Sequence, residues 1–410
     1  MKTLFVMSGP RAMLGPGAPR LVTLLLPPRR LLRLPSRGII DMSYTQHFVE
    51  GGRPLPRSHS KLVVTALSTD FREAVQLQEA PVPSPDSDQV LVRNRFVGIN
   101  ASDINFSAGR YNPRVRPPFD AGLEAVGTVV ARGLAASARF SLGQPVAYAA
   151  EGAFAEYKVV PAASIFPLPE LKAEYLTLPV SALTALLSLE RSAELRAGES
   201  VLVTAAAGGT GQFAVQLAAR AGCRVLGTCS SDEKAAFLAT LGCHRPINVR
   251  KESLAKVLKE ECPKGVNVVY ESVGGDTFET AVNSLAVCGR LIIIGYIEGY
   301  RAEAGSAGGD KKTKSARVLP SVQAHLLVKS ASVRGFFLPH FVAEHGAGVE
   351  RLAGMVQRGE LLAAVDGGAA TDGGPFRGLG DVHRAVEHLY SRRSLGKVVV
   401  ELPDSPAAKL

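Results

Sequence analysis

Near the middle of the chain, the stretch VLVTAAAGGTGQFAVQLAARAG has the residue types and spacing to hold a pyrophosphate: Ala206-x-Gly208-x-x-Gly211 stands where a dinucleotide fingerprint has G-x-G-x-x-G. Gly208, Gly209 and Gly211 let backbone approach the phosphates, and a helix starting near Thr210 offers them unpaired N–H groups. The strand that follows ends Thr228-Cys229-Ser230-Ser231 and lacks the carboxylate that would accept from ribose hydroxyls. Lys234 comes one helical turn later. The Ser230 hydroxyl and the Lys234 ammonium suit a 2′-phosphate, so the residues select NADPH over NADH. Ser230 with Glu233 also fits a capping box, and one serine can serve helix and phosphate together.

The elements that must position this turn fall into three blocks. The first alternates short strands with turns, in KLVVTALS, QVLVRNRFVGIN, EAVGTVVARG and QPVAYAAEGAFAEYKVV, the pattern of a small curved β domain. The second alternates apolar strands with amphipathic helices and predicts a doubly wound parallel sheet. Its strands are expected at Ser200 to Thr204, Arg224 to Gly227, Arg245 to Asn248, Asn267 to Glu271, Arg290 to Gly295 and Ser332 to Phe336. The third has a helix around Gly380 to Tyr390 and a closing strand, Lys397 to Glu401, expected to return to the first block. The fold class is therefore α/β, with a β domain at 59–182 interrupted by a nucleotide domain at 183–336 and completed by 337–410.

Composition narrows the partners. A hydrophobic fraction of 46% against 20% charged residues is globular, and no apolar run reaches the roughly 18 residues of a membrane span. The net charge of +10 is concentrated at the start, where Lys2, Arg11, Arg20, Arg29, Arg30, Arg33 and Arg37 precede the first acid, Asp41. The remainder is mildly basic and predicts no nucleic-acid surface. Cys223, Cys229, Cys243, Cys262 and Cys288 have no C-x-x-C spacing and read as reduced, structural thiols. Residues 1–58 form an extension: its acid-free start resembles an organellar presequence, with five prolines against a long helix, and Met42 is an alternative start. The final Ala408-Lys409-Leu410 matches a peroxisomal tripeptide, so the expected partner there is an import receptor, with a mitochondrial address as the alternative. RAEAGSAGGDKKTKSARV, 301–318, is the one low-complexity stretch.

A β domain interrupted by an A-x-G-G-x-G nucleotide domain resembles the medium-chain dehydrogenase/reductase superfamily over about residues 61–402. NASDIN, GLEAVGTVV, TAAAGGTGQFA, GTCSSDEK, VVYESVGG, ASVRGFFL and LGKVVVELP resemble its zinc-free quinone oxidoreductase and prostaglandin reductase branch. The resemblance implies a GroES-like β domain, a Rossmann domain and NADPH-dependent reduction of a carbon–carbon double bond conjugated to a ketone. It implies a lipid-like ketone as substrate, 15-keto prostaglandins foremost, and a homodimer. A quinone reductase and a non-catalytic NADPH-binding regulator are the alternatives.

Zinc enzymes of the superfamily have a cysteine where this chain has Asn100 and a histidine where it has Leu123, and no cysteine precedes Cys223. Tetrahedral zinc needs three or four converging N/S donors. His383 and His388 stand about 140° apart around one helix, so the residues predict no metal. Hydrogen bonds must then polarise the substrate carbonyl. By resemblance, Tyr300 lies beside the nicotinamide ribose, either donating or only packing, and Asn100 either bonds substrate or closes an Asx turn. Tyr111 lines the pocket. Ser272, Ile294, Phe336, Phe337, Leu338 and Ser394 complete the expected cofactor contacts. Val249 in INVR replaces a tyrosine of the branch, with Arg250 as a candidate substitute, and Ser394 replaces an asparagine.

Overall fold

The structure, a computed structural model, describes residues 54–301 and 322–403. The presequence-like segment, Met42, the tripeptide Ala408-Lys409-Leu410 and, apart from Arg301, the stretch 301–318 lie outside the described residues.

Six parallel strands build the nucleotide domain, in the spatial order Arg245–Asn248, Arg224–Cys229, Ser200–Val203, Val266–Glu271, Leu285–Ile293 and Ser332–Gly335. That is the 3-2-1-4-5-6 order of a Rossmann sheet. Apolar runs such as Val201-Leu202-Val203 and Val268-Val269-Tyr270 are wholly buried, as strands covered by helices on both faces must be. The fifth strand begins at Leu285, five residues before the expected Arg290. Its register on Val266–Glu271 shifts between Val266 and Val268, and Cys288 sits at φ 59°. That irregularity, beside Gly289, hides the early strand from an alternation pattern.

Gln89–Gly98 runs through the β domain and pairs antiparallel with Glu124–Arg132, Tyr157–Pro161 and Lys397–Glu401. The last pairing sets Val399 opposite Gly98, so the chain leaves this sheet, builds the Rossmann domain and returns. A helix absent from the sequence reading, Val342–Gln357, packs Val349, Leu352 and Met355 into the same cluster as Leu183, Leu186 and Phe213. Glycines at 346, 348 and 354 dilute its apolar periodicity.

Two glutamines tie the fingerprint helix Gly211–Arg220 to the return segment. Gln212 exchanges hydrogen bonds with both backbone groups of Ala364, and Gln216 does the same with Leu362. Residues four apart share a helix face, so the pair grips the backbone as a neighbouring strand would.

Where Gln89–Gly98 ends, the chain turns into the helix Ser102–Ser107. Asp103 closes that turn: its Oδ2 accepts from Asn100 N at 2.8 Å while its own N–H donates to Asn100 O at 3.1 Å. Burial pushes the Asp103 carboxyl up to about 7, against the opposing pull of the Asn100 N–H and the Lys397 charge, with Glu124 adding to the rise. A carboxyl with a raised folded value contributes its full stability when protonated and loses it as pH climbs from the unfolded value, near 4, through about 7. Asp103→Asn keeps the acceptor without the charge. Its Tm relative to the natural protein should rise from pH 5 to about pH 7 and level off above that, and a constant difference between pH 5 and pH 7 would refute this placement of the proton.

Candidate functional site

A cavity of about 840 Å³ runs between the two domains and is lined by residues of both. Its Rossmann wall is the turn after Ser200–Val203. Gly211 is required there, because a Cβ would lie 2.5 Å from Ala205 O and 2.7 Å from Ala206 O. Ala206 itself is buried under the turn, while Gly208, Gly209, Thr210 and Gly211 face the cavity. Thr210 does not cap its helix. Its hydroxyl donates to Ser181 O at 2.9 Å and meets Tyr270 Oη at 2.6 Å, so the side chain anchors the turn and only backbone faces a phosphate.

At the end of the second strand the capping role falls to Ser231, whose hydroxyl accepts from Lys234 N at 3.2 Å. The capping box expected at Ser230 is displaced by one residue, which leaves the Ser230 hydroxyl free of the helix. Ser230 Oγ and Lys234 Nζ instead both donate to Arg392 O, at 3.2 and 2.8 Å. Burial lowers the Lys234 ammonium from its ordinary value. A desolvated cation and a hydroxyl converging on one neutral carbonyl are suited to an incoming anion. Val249 lines this end as an exposed apolar side chain. Arg250 is not among the lining residues, but Arg392 is, and its guanidinium crosses to Glu298 at 2.9 Å. The RRS before LGK was the signal for Arg392.

Ser272, Ile294, Phe336, Phe337, Leu338 and Ser394 all line the cavity. Ser272 is fixed by Thr204: its N–H donates to Thr204 Oγ1 at 2.9 Å and its hydroxyl donates to Thr204 O at 3.2 Å. Glu271, passed over in the sequence, receives Val273 N and Gly274 N at 2.9 and 3.0 Å and shapes the turn behind Ser272.

The cavity's β-domain side carries the candidate donors. Tyr111 is 43% exposed and Tyr300 5% exposed, and the two phenols are near enough to shift each other's titration. Tyr300 Oη accepts from Tyr296 N at 3.3 Å, and Asn105 Nδ2 donates to Tyr111 Oη at 3.3 Å. Burial raises both phenols above their ordinary value, so each keeps its proton at neutral pH. Arg110 holds the backbone of this corner, donating to Tyr300 O at 2.8 Å and Gly299 O at 3.3 Å.

Asn100 makes no Asx turn, since Asp103 has taken the loop. Its Oδ1 accepts from Lys397 Nζ at 2.6 Å and its Nδ2 donates to Glu124 Oε1 at 2.9 Å. Lys397 and Glu124 form an ion pair with side chains 2% and 0% exposed. Leu123 lines the cavity beside them. His388 pairs with Asp366 at 2.8 Å, whereas His383 packs edge-on against Phe71. Among the described residues no group of three or more His, Cys, Asp and Glu could hold a metal ion.

The residues fit a nicotinamide dinucleotide carrying a 2′-phosphate: a turn that admits no side chain at Gly211, a buried lysine whose ammonium donates to the neutral Arg392 carbonyl, and an apolar recess at the far end. Residues 209–353 match the family described as zinc-binding dehydrogenase, and residues 86–170 match the alcohol dehydrogenase GroES-like domain. Mouse prostaglandin reductase-3 is 55% identical over 93% of this chain and all of its own length. A probable quinone oxidoreductase of Leishmania amazonensis is 46% identical over 85% of this chain and 99% of its own. The crystal structure of Escherichia coli quinone oxidoreductase complexed with NADPH superposes with a TM-score of 0.68 at 26% identity, covering 83% of this chain and 99% of that one. A Rossmann sheet inserted in a GroES-like domain agrees with those relatives over most of the chain. The chain belongs to the medium-chain dehydrogenase/reductase superfamily, in the branch of prostaglandin reductase-3 and the quinone oxidoreductases.

Proposed function

We propose that this protein uses NADPH to reduce the carbon–carbon double bond of α,β-unsaturated ketones, with 15-keto prostaglandins as substrates and their 13,14-dihydro forms as products. The observation that carries the proposal is the continuity of one cavity, from Ser230 and Lys234 past the Gly208–Gly211 turn to an apolar recess beside Tyr111 and Tyr300. Ser230 and Lys234 hold the 2′-phosphate. The backbone of 208–211 holds the pyrophosphate. Phe336, Phe337 and Leu338 present backbone to the carboxamide. When bound, the reduced nicotinamide supplies hydride to the β carbon.

This chain's own residues manage the charge that results. Electron density moves to the ketone oxygen, which becomes an enolate. The protonated phenols of Tyr111 and Tyr300 and the amide of Asn100 are the donors placed to receive it, and donors that strengthen as charge develops lower the barrier. Tyr111 is the more exposed of the pair. A proton then adds to the α carbon and completes the saturated ketone. Phe106, Leu123, Phe166 and Val342 supply the apolar lining that suits a lipid-like chain. The likeness to prostaglandin reductase-3 supports the enone reading, and the likeness to quinone oxidoreductases supports a quinone as the competing acceptor.

Three measurements test this reading. NADPH oxidation followed with a 15-keto prostaglandin and a simple quinone side by side should give the higher kcat/KM for the enone; the reverse order transfers the assignment to quinones. Tyr300→Phe should lower enone kcat on the order of 100-fold with little change in KM, and a variant within twofold of the natural enzyme would reduce Tyr300 to packing. Lys234→Ala should weaken NADPH binding about 10- to 100-fold, the loss of a charge-assisted contact. NADH binding should barely change in that variant; equal weakening of both would remove the 2′-phosphate from Lys234.

A further inference from the structure

Lys397 lines the cavity and forms an ion pair with Glu124, and nothing in the reduction described above assigns that pair a part. Its side chains are 2% and 0% exposed, and Glu124 Oε2 has no hydrogen-bond partner among the described residues. Taking both charges out of water is costly, and a well-packed apolar pair of the same volume is often as stable or more so. Stability alone therefore does not account for it.

What the pair touches is Asn100. The ammonium donates to Asn100 Oδ1 at 2.6 Å and the carboxylate accepts from Asn100 Nδ2 at 2.9 Å. An amide has a donor end and an acceptor end. With a cation on the oxygen and an anion on the nitrogen, the side chain has one permitted orientation, and a flip would set like against like at both ends. Asn100 Nδ2 carries two hydrogens. One goes to Glu124, and the other has only Gly98 O at 3.5 Å, the outer limit of a hydrogen bond. Asn100 lines the cavity, so that N–H is available to a ligand. An ammonium drawing on the amide oxygen makes the remaining N–H a stronger donor.

The backbone holds Lys397 in place. Gly396 sits at φ 77°, where a Cβ would lie 2.4 Å from Ala364 O, so only glycine brings the next residue in at this angle. Lys397 N donates to Ala364 O at 3.0 Å and Gly396 N to Ala207 O at 2.8 Å. The lysine is thereby indexed to the dinucleotide turn itself.

We propose that Lys397 and Glu124 are positioning residues for the reduction: they lock the Asn100 amide in one orientation and polarise it, so that its free N–H meets the developing oxyanion of the substrate. The proposal rests on the conjugate-reduction reading, because it requires an acceptor whose oxygen gains charge; a quinone satisfies it as well as an enone.

The test replaces both charges at once. Lys397→Met with Glu124→Gln removes the pair without stranding either partner, and Asn100→Ala removes the locked amide while the pair stays whole. For each variant kcat and KM are measured on whichever acceptor the natural enzyme turns over, with NADPH affinity by fluorescence titration and Tm. A failure of the substrate reading then appears in the natural enzyme, and a failure of the lock appears only in the ratios. The expected result is a kcat about 100-fold lower in the double variant and in Asn100→Ala alike, with KM and NADPH affinity little changed in both. The triple variant should lose nothing more than Asn100→Ala does. Unchanged kcat in Asn100→Ala overturns the proposal whether or not the double variant folds, and so does a loss in the triple variant equal to the product of the two. Should neither acceptor be turned over, selective ¹⁵N labelling of asparagine reads the lock directly. The Asn100 side-chain proton held by Glu124 should exchange slowly with solvent in the natural protein and fast in the double variant; fast exchange of both Asn100 amide protons in the natural protein refutes the lock.

Discussion

The two domains share one cavity because a single backbone junction keeps them in register. Gly396 N donates to Ala207 O at 2.8 Å, and Gly208 bridges to Gly396 as a parallel strand would. The strand that closes the β domain is stitched in this way to the turn that opens the fingerprint helix. Gln212 and Gln216 reinforce the junction from the helix side by gripping Ala364 and Leu362. A hinge between the domains must therefore bend somewhere other than here. One end of the cavity is set by Ser230 and Lys234 and the other by Tyr111 and Asn100, and the distance between them follows from the junction.

Burial decides the protonation states along that cavity, and it does so in opposite senses. It raises the phenols of Tyr111 and Tyr300, which keeps them neutral donors, and it lowers Lys234, which makes its charge more dependent on an anion nearby. Lys397 has a carboxylate partner already present and wholly buried. One lysine thus stands ready for a ligand's charge, whereas the other carries its counter-ion with it. On the proposed reading this difference separates a binding group from a group that acts on its neighbours.

Most of the architecture was legible because it rests on periodicity. The strands at Arg245–Asn248 and Lys397–Glu401 fall where their apolar runs place them. The fingerprint was equally plain, because its glycines answer to steric limits that any sequence reader can state. What escaped depends on partners remote in the chain. Ser230 and Ser231 are interchangeable as caps on local grounds, and only the geometry of the helix start chooses Ser231. Asn100 reads as a turn residue until Glu124 and Lys397, 24 and 297 positions away, take hold of its amide. The helix Val342–Gln357 was invisible because its glycines interrupt the apolar stripe.

The likeness to zinc-binding dehydrogenases and the residues of this cleft can be reconciled on electrostatic grounds. A zinc ion in such a site withdraws electrons from a substrate oxygen as a fixed positive charge. Here the position of a ligand cysteine is Asn100, and a fixed positive charge, the Lys397 ammonium, is bonded to it at 2.6 Å. The charge reaches the cleft through an amide rather than through coordination, which weakens the pull on any one oxygen and makes it directional. A directional donor suits conjugate reduction, where the oxygen gains charge at a distance from the carbon that receives hydride. Polarising a simple ketone strongly enough for attack at its own carbonyl carbon calls for more. On the proposed reading, an asparagine in the ligand position and a conjugated acceptor go together, with Lys397 and Glu124 as the residues that join them.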